Sequence, residues 1–510
     1  MMAALTVTAL TLGELVGPGA GALASTPIRD LVLDSRAAEP GAAFVALRGT
    51  RDHGLNHAAD ALARGAEAVL YDPDELGGEA LPAAVSGRAV AVPGLAARSG
   101  ELAHRLYGPG MGHVELAGIT GTNGKTTVAY LVAQAMGRAG RRCGYIGTLG
   151  HGLPAALEPH ALTTPDCFTL HRELAALAAE RGTHAALEVS SHALAQDRIA
   201  GLAIRTAAFT NLTRDHLDAH GSLDAYGAAK ARLFERAGLR SAVLNGGDPF
   251  AARLADRLAP GVRLIRVAAA DVGDADIAAR VRSHGLAGLE LELRGRYGDA
   301  RLRSPLIGTF NAENLLVALG VLVAWDLPLG DACAALGGCA APPGRLDVIA
   351  PAQRGTAAAS GEPAAAPYVV VDYAHTPDGL DRVLDAIRTL AAGEVWCVFG
   401  CGGERDPGKR APMGAVAARH ADHIVVTDDN PRGEDPAAIV REILAGVGAH
   451  PDVIVEHDRA AAIRHAIRRA RPGDVVLIAG KGHETTQRIG TDERPFDDRA
   501  AARAALEELG

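Results

Sequence analysis

The sequence predicts an α/β protein of three domains built on parallel sheets. Three observations carry this. The chain has 510 residues, the length of about three ordinary domains. Apolar strand-like runs alternate with helical stretches along most of it, the pattern of strands joined by helical crossovers. At one point a strand-like run passes through a glycine-rich loop straight into a helix.

Composition narrows the class. Nearly half the chain is apolar but only 4% is aromatic, so its cores must be made from Ala, Val, Leu and Ile. The net charge is −9 with both signs interspersed and no basic block, which argues against a dedicated nucleic-acid binder. Cys143, Cys167, Cys333, Cys339, Cys397 and Cys401 form no CxxC pair and no zinc spacing, and read as small buried apolar residues. The N-terminus lacks a basic region, and Gly13 and Glu14 interrupt its apolar stretch, so it reads as mature structure. No run approaches the roughly 20 apolar residues that a bilayer span needs. The expectation is a cytoplasmic protein with no membrane insertion.

The first domain, residues 1–112, mixes short apolar runs (28–33, 43–47, 68–70 and 89–92) with turn residues. The second, 113–342, opens on an apolar strand at 114–117. Strand-like runs at 185–189, 207–209, 242–244 and 264–267 follow, then two nearby strands around 289–293 and 300–306, and a helix from 311 to about 325. The third, 343–510, contains a stretch rich in Ala, Gly, Ser and Pro at 351–367, which reads as a flexible loop. After it come strands at 368–371, 395–399, 423–426 and 475–478. Each is followed by a loop crowded with Gly, Asp, Arg, Asn or His, at the strand ends where α/β sheets bind ligands.

The sharpest motif is GITGTNGKTT, residues 118–127, between a strand and an apolar helix. The backbone of Gly121, Thr122, Asn123 and Gly124 can approach phosphate oxygens, and the helix start at Lys125, Thr126 and Thr127 favours anions. Lys125 reaches the terminal phosphates, and the Thr126 hydroxyl can ligate Mg²⁺. This is a nucleoside triphosphate site. One feature departs from the usual phosphate loop: Ile119 holds the place of the first glycine, which lies one position earlier, at Gly118. With that spacing the run resembles the ATP loop of the Mur ligases and of the related folylpolyglutamate and cyanophycin synthetases, and the resemblance extends along nearly the whole chain.

Glu188 closes a strand, where a carboxylate suits Mg²⁺, and His216 follows the next strand at the same edge. Taken singly, such residues equally serve as helix caps or satisfied histidines. In the order in which Mur ligases carry them, the resemblance implies metal and phosphate ligands. Lys230 lies in a helical stretch, where a lysine is ordinarily a solvated charge. The segment AKARLF (229–234) resembles the family's motif whose lysine is carbamylated, and a carbamate would replace a cation that repels Mg²⁺ by an oxygen ligand. The resemblance further implies nucleotide contacts at Asn311, Arg345 and Asp372, with ATP between two domains that close on it.

The same resemblance makes the first domain a small uridine-binding α/β domain, with contacts at Leu33, Ser35, Thr50, Arg51 and Asp52, and the third Rossmann-like. It assigns the muramoyl dipeptide to Thr163, Thr164, Ser190, Gln196 and Arg198; Leu162 stands where some members carry Asn. Asp429, Asn430, Pro431 and Arg432 match the signature of members that use meso-diaminopimelate. The second carboxylate of that amino acid, absent from lysine, suits an Arg fork. Arg405 is a second candidate clamp, Gly480 belongs to the facing loop, and Glu484 is placed for the substrate ammonium. The implied reaction is ATP-dependent amide formation with ATP and Mg²⁺, small-molecule substrates and a monomeric enzyme.

Overall fold

The computed structural model describes residues 8–49, 52–77, 81–160, 162–215, 217–269, 275–349 and 366–509. The expected contacts at Thr50, Arg51 and His216, and nearly all of the loop 351–367, lie outside the described residues. The chain forms two compact units, one of residues 1–267 with 317–327, the other of 268–316 with 328–510.

The first unit opens with a four-stranded parallel sheet ordered Asp30–Val32, Ala42–Ala46, Ala68–Tyr71 and Ala89–Ala91. These strands coincide with the apolar runs of the sequence. On one face Val32, Phe44 and Val69 form a core of their own; on the other Leu31, Val45 and Leu70 join a larger cluster that continues through the following layers. The helix Leu95–Met111 makes the join. Its Tyr107 hydroxyl donates to the Asp30 carboxylate, which Arg172 of the helix Cys167–Ala179 also grips at 2.8 Å. Gly100 and Gly201 let the two backbones touch: a Cβ on Gly100 would lie 2.6 Å from the carbonyl carbon of Ala200.

The large sheet of this unit has a parallel core ordered Cys143–Gly147, His184–Glu188, Glu115–Thr120, Ile204–Phe209, Ser241–Asn245 and Arg263–Ala268. Two antiparallel strands, Gly150–Leu153 and Ala156–Glu158, extend the first edge. Strands buried on both faces read as continuous apolar runs, which is why most were legible. The strand Cys143–Gly147 was not, because two glycines interrupt it. Each has a packing reason: a Cβ on Gly144 would lie 2.5 Å from Leu177, and one on Gly147 would strike the Glu188 carboxylate.

The second unit carries an antiparallel meander, Ile277–Gly285, Gly288–Gly295 and Ala300–Ser304, one strand more than the two expected. Its main sheet is ordered Asp347–Ile349, Tyr368–Asp372, Val475–Ala479, Val395–Phe399, His423–Val426 and Val453–Val455, parallel except for the first. Helices Pro377–Leu390, Arg410–His420 and Pro436–Val447 cover one face, and Arg459–Arg469 and Asp498–Glu507 the other. Alternate strand residues, Val370 and Val371 for instance, enter opposite cores.

One buried ion pair ties the second face together. Arg459 and Asp498 are fully buried and bonded in two places, Nε to Oδ1 at 2.7 Å and Nη2 to Oδ2 at 2.8 Å; Nη2 also donates to the Ala479 carbonyl at 2.9 Å. Removing one partner strands a charge. Asp498→Ala should cost about 3–5 kcal/mol in urea unfolding, whereas replacing both partners by apolar residues of like volume should recover most of that.

Candidate active site

The phosphate loop links the strand Glu115–Thr120 to the helix Lys125–Arg138, with Gly124 in the left-handed region at the helix N-cap (φ +83°). A second segment holds its shape. Thr210 Oγ1 donates to the Asn123 carbonyl at 2.6 Å, and Asn211 both accepts from the Asn123 amide (3.0 Å) and donates to its carbonyl (3.2 Å). Thr122 Oγ1 accepts from Thr213 N at 2.9 Å. A Cβ on Gly121 would collide with Thr210 Oγ1. Sequence reasoning quoted this segment only for His216; the scaffolding by Thr210, Asn211 and Thr213 went unread because side-chain-to-loop bonds leave no periodic signal.

Lys125 Nζ folds over the loop, 3.0 Å from the carbonyl of Gly121 and 2.9 Å from that of Thr122. Lys230, only 1% exposed, donates to the same Gly121 carbonyl at 2.8 Å and lies 4.2 Å over the Tyr226 ring. Lys230 is therefore no solvated charge. Burial, and then the neighbouring Lys125 charge, hold its amine well below the usual lysine range.

Glu188, wholly buried at the end of its strand, meets Thr126 Oγ1 through Oε2 at 2.9 Å. Its Oε1 accepts from the Tyr145 hydroxyl and from Thr148 N at 2.9 Å. These donors fix the carboxylate and aim Oε2 at the loop. Two oxygens on an octahedral Mg²⁺ stand about 3 Å apart, so Thr126 Oγ1 and Glu188 Oε2 fit that ion. Lys230 fits it only once its nitrogen bears a carboxylate. Tyr145 was missed along with its strand.

Thr163 and Thr164 adjoin this cluster. The Thr163 hydroxyl is 3.1 Å from that of Thr148, and Thr164 Oγ1 donates to the Glu188 carbonyl at 2.7 Å and accepts from Ser190 N at 3.1 Å. Ser190 caps the short helix Ser191–Ala195. Arg198 donates to the Thr164 carbonyl (2.8 Å) and to Gln196 Oε1 (2.7 Å), so four of the five expected dipeptide residues form one bonded chain with Gln196 at its end. Leu162 is exposed. In the first domain Ser35 is buried beside Leu33 and borders an open pocket of about 360 Å³ that Arg36, Asp60 and Arg64 also line. Asp52 instead holds its own turn, accepting from His53 N at 2.8 Å.

In the second unit, Asn311 is buried with both ends of its amide engaged, Nδ2 on the Ile307 carbonyl at 2.7 Å and Oδ1 taking Asn314 Nδ2 at 2.8 Å. It shapes its turn from within. Asp372 likewise accepts from Leu346 N and Ala374 N, both at 2.8 Å; burial raises its carboxyl above the usual range, against the opposing pull of Arg345. Arg345 stacks 4.8 Å from the Tyr373 ring, whose other neighbours are His375 and His483. Gly344 presses against the backbone of Gly482 and His483, where no Cβ would fit.

The loops after His423–Val426 and Val475–Ala479 are knitted together. Asn430 Nδ2 donates to Glu484 Oε2 at 2.9 Å, and Lys481, fully buried, donates at 3.0 Å to both Asn430 Oδ1 and Glu484 Oε2. Sequence reasoning missed Lys481, although it stands next to Gly480 and three residues before Glu484. Gly480 (φ +115°) faces Asp429, and a Cβ there would come within 2.7 Å of its carboxylate. Beyond Pro431, Arg432 sits in the left-handed region (φ +52°), a strained conformation for a bulky residue, and donates to the Gly403 carbonyl at 2.7 Å. Arg405 is exposed on the neighbouring loop.

Three family models match the chain: Mur ligase family, catalytic domain, over residues 27–107; Mur ligase middle domain over 119–322; and Mur ligase, glutamate ligase domain, over 361–482. The chain is 45% identical to the UDP-N-acetylmuramoyl-L-alanyl-D-glutamate–2,6-diaminopimelate ligase of Alkalilimnicola ehrlichii over 94% of its own length and 95% of the relative's. It is 46% identical to the enzyme of that name from Pseudomonas aeruginosa, with coverage of 94% and 95%. A solved structure of a ligase of the same name matches 98% of this chain and 99% of its own, with a TM-score of 0.69 and 33% identity.

Removing the Tyr145 hydroxyl takes a donor from a buried carboxylate, at a cost of about 1–3 kcal/mol. Tyr145→Phe should lower thermal stability and weaken nucleotide binding in the presence of Mg²⁺, as read by calorimetry. Unchanged values would remove Tyr145 from the site.

Proposed function

Because the chain belongs to the Mur ligase family of ATP-dependent amide-bond-forming enzymes, we propose that it joins meso-diaminopimelate to the D-glutamate γ-carboxylate of UDP-N-acetylmuramoyl-L-alanyl-D-glutamate, a step of peptidoglycan synthesis. The observation that carries the substrate reading is the bonded pair of loops bearing Asp429, Asn430, Pro431, Arg432, Lys481 and Glu484, in a chain 45% identical to a ligase named for that substrate. The three domains run from residue 1 to 112, to 342 and to 510. The enzyme acts as a monomer in the cytoplasm, where ATP is supplied. Among the described residues no helix is long and apolar enough to cross a membrane.

The reaction has two steps. The dipeptide γ-carboxylate attacks the γ-phosphorus of ATP, releasing ADP and leaving an acyl phosphate. The diaminopimelate amine then attacks the acyl carbon, loses a proton and expels phosphate. Lys125 and the loop amides bind the triphosphate and spread the charge that develops on the transferring group. Thr126, Glu188 and the carbamate of Lys230 would hold Mg²⁺, which when bound neutralises phosphate charge. The depressed basicity of Lys230 supports this, since only the free amine attacks CO₂. Thr163, Thr164, Ser190, Gln196 and Arg198 position the dipeptide, while Leu33, Ser35, Thr50, Arg51 and Asp52 take the uridine end. His216 adds a group at the phosphate edge, and Asn311, Arg345 and Asp372 serve the nucleotide.

On the amine side, Arg432 and Arg405 pair with the distal carboxylate. Glu484 takes the ammonium, its Oε2 already oriented by Lys481 and Asn430. Lysine would leave the Arg432 guanidinium without its anion, a penalty that discriminates strongly.

With ATP and the muramoyl dipeptide nucleotide supplied, meso-diaminopimelate should give product, and lysine and D-Ala-D-Ala should not; a preference for lysine in chromatographic product analysis would overturn the substrate assignment. Arg432→Ala should cut turnover with diaminopimelate far more than it weakens ATP binding, and equal losses would refute its role. Depleting CO₂ should lower turnover, with recovery on adding bicarbonate in the parent enzyme but not in Lys230→Ala.

A further inference from the structure

Away from the phosphate loop but within the same unit, three side chains that the proposed reaction does not use point at one another. His151 lies on the edge strand Gly150–Leu153, His160 follows the hairpin, and Glu173 comes from the helix Cys167–Ala179. One ligating atom from each can be chosen so that all lie within 4.8 Å of one another. Glu173 is only 7% exposed, and its Oε1 stands 3.4 Å from His151 Nδ1. Of the other polar atoms, Glu173 Oε2 is buried with no hydrogen bond, and the His160 ring nitrogens, near the backbone of Gly150 and Leu162, have no side-chain partner. Buried polar atoms ordinarily find partners, so an unpaired carboxylate oxygen with one nitrogen of each imidazole within reach calls for an occupant that accepts electron pairs from all three groups.

We propose that His151, His160 and Glu173 bind one transition-metal ion of the Zn²⁺ class. The spacing fits: two donors about 2.0–2.1 Å from a tetrahedral zinc stand about 3.4 Å apart, the separation of His151 Nδ1 from Glu173 Oε1. The donor set also selects the metal, since two imidazoles and a carboxylate favour Zn²⁺, Co²⁺ or Ni²⁺ over the Mg²⁺ that hard oxygen ligands prefer. Ligation by His151 through Nδ1 leaves Nε2 toward Glu158, its cross-strand partner, at 4.0 Å, the outer carboxylate that commonly orients a metal-bound histidine. The protonation states agree with the geometry. Burial keeps both imidazoles below the usual range, hence neutral and able to ligate, and raises the Glu173 carboxyl to about 8, which a cation bound beside it would lower. Arg172 and Asp166 are the other charges acting on the cluster. The ion would clamp the end of the hairpin to the helix, three residues before Thr163.

Full-length enzyme stripped with chelator and titrated with Co²⁺ should take up one equivalent and show the intense visible bands of a tetrahedral site, and Zn²⁺ should quench them. Millimolar Mg²⁺ should not. Glu173→Gln and His160→Asn should each abolish the bands; His160, the less buried of the two, guards against loss of folding in the other variant. Glu158→Gln should weaken Zn²⁺ by roughly 10–100-fold. Absence of the bands, their displacement by Mg²⁺, or their persistence in both ligand variants would overturn the site, leaving a buried water as the occupant.

Discussion

Two lysine side chains converge on one oxygen atom, the carbonyl of Gly121, and much of the first unit is arranged around that crowding. Two ammonium groups this close, one of them buried, cannot both keep their charge at low cost. Lys125 is partly open to solvent and can meet an anion there. Lys230 is sealed, so burial and then the Lys125 charge weaken its hold on its proton. The carbamate that the resemblance implies, and that we propose at this lysine, would relieve that competition. It also explains why the loop must be so firmly held from Thr210, Asn211 and Thr213: the positions of both nitrogens are set by the position of one carbonyl.

The second unit solves a different problem, that of keeping loops at strand ends in register without regular structure. Polar bonds among Asn430, Lys481 and Glu484 replace the sheet hydrogen bonds that end a few residues earlier, and Arg459 reaches from beneath to the carbonyl of Ala479, next to Gly480. The left-handed backbone at Arg432 is tolerated because its guanidinium and its main chain are both pinned, the latter to Arg488 and Gly490. Strain held in this way fixes the direction of the side chain before any ligand arrives.

The sequence made the α/β class and most strands legible because buried parallel strands are unbroken apolar runs. It concealed the strand Cys143–Gly147, whose glycines answer to Leu177 and Glu188, contacts far away in sequence. The phosphate loop could be read because its function lies in consecutive backbone groups. Glu188 could be read from its place at a strand end, but only the resemblance chose between ligand and helix cap; Lys230 was placed by resemblance alone, since burial beside a loop leaves no trace in spacing. Asn311 and Asp372 were assigned to the nucleotide by the resemblance, and in the fold their polar atoms are largely spent on the turns that contain them. Lys481 and Tyr145 went unnoticed because a single polar residue on or next to an apolar strand looks like a boundary.

The contact between Gly100 and Gly201 reaches beyond packing. Helix and loop meet main chain to main chain at this point, with Asp30 clasped by Tyr107 and Arg172 alongside. On the proposed reading, the pocket at Ser35 and the phosphate loop then belong to one stiff body and act as a gauge: a substrate anchored by its uridine end presents whichever carboxylate its own length delivers, and a peptide one residue shorter or longer would present the wrong atom.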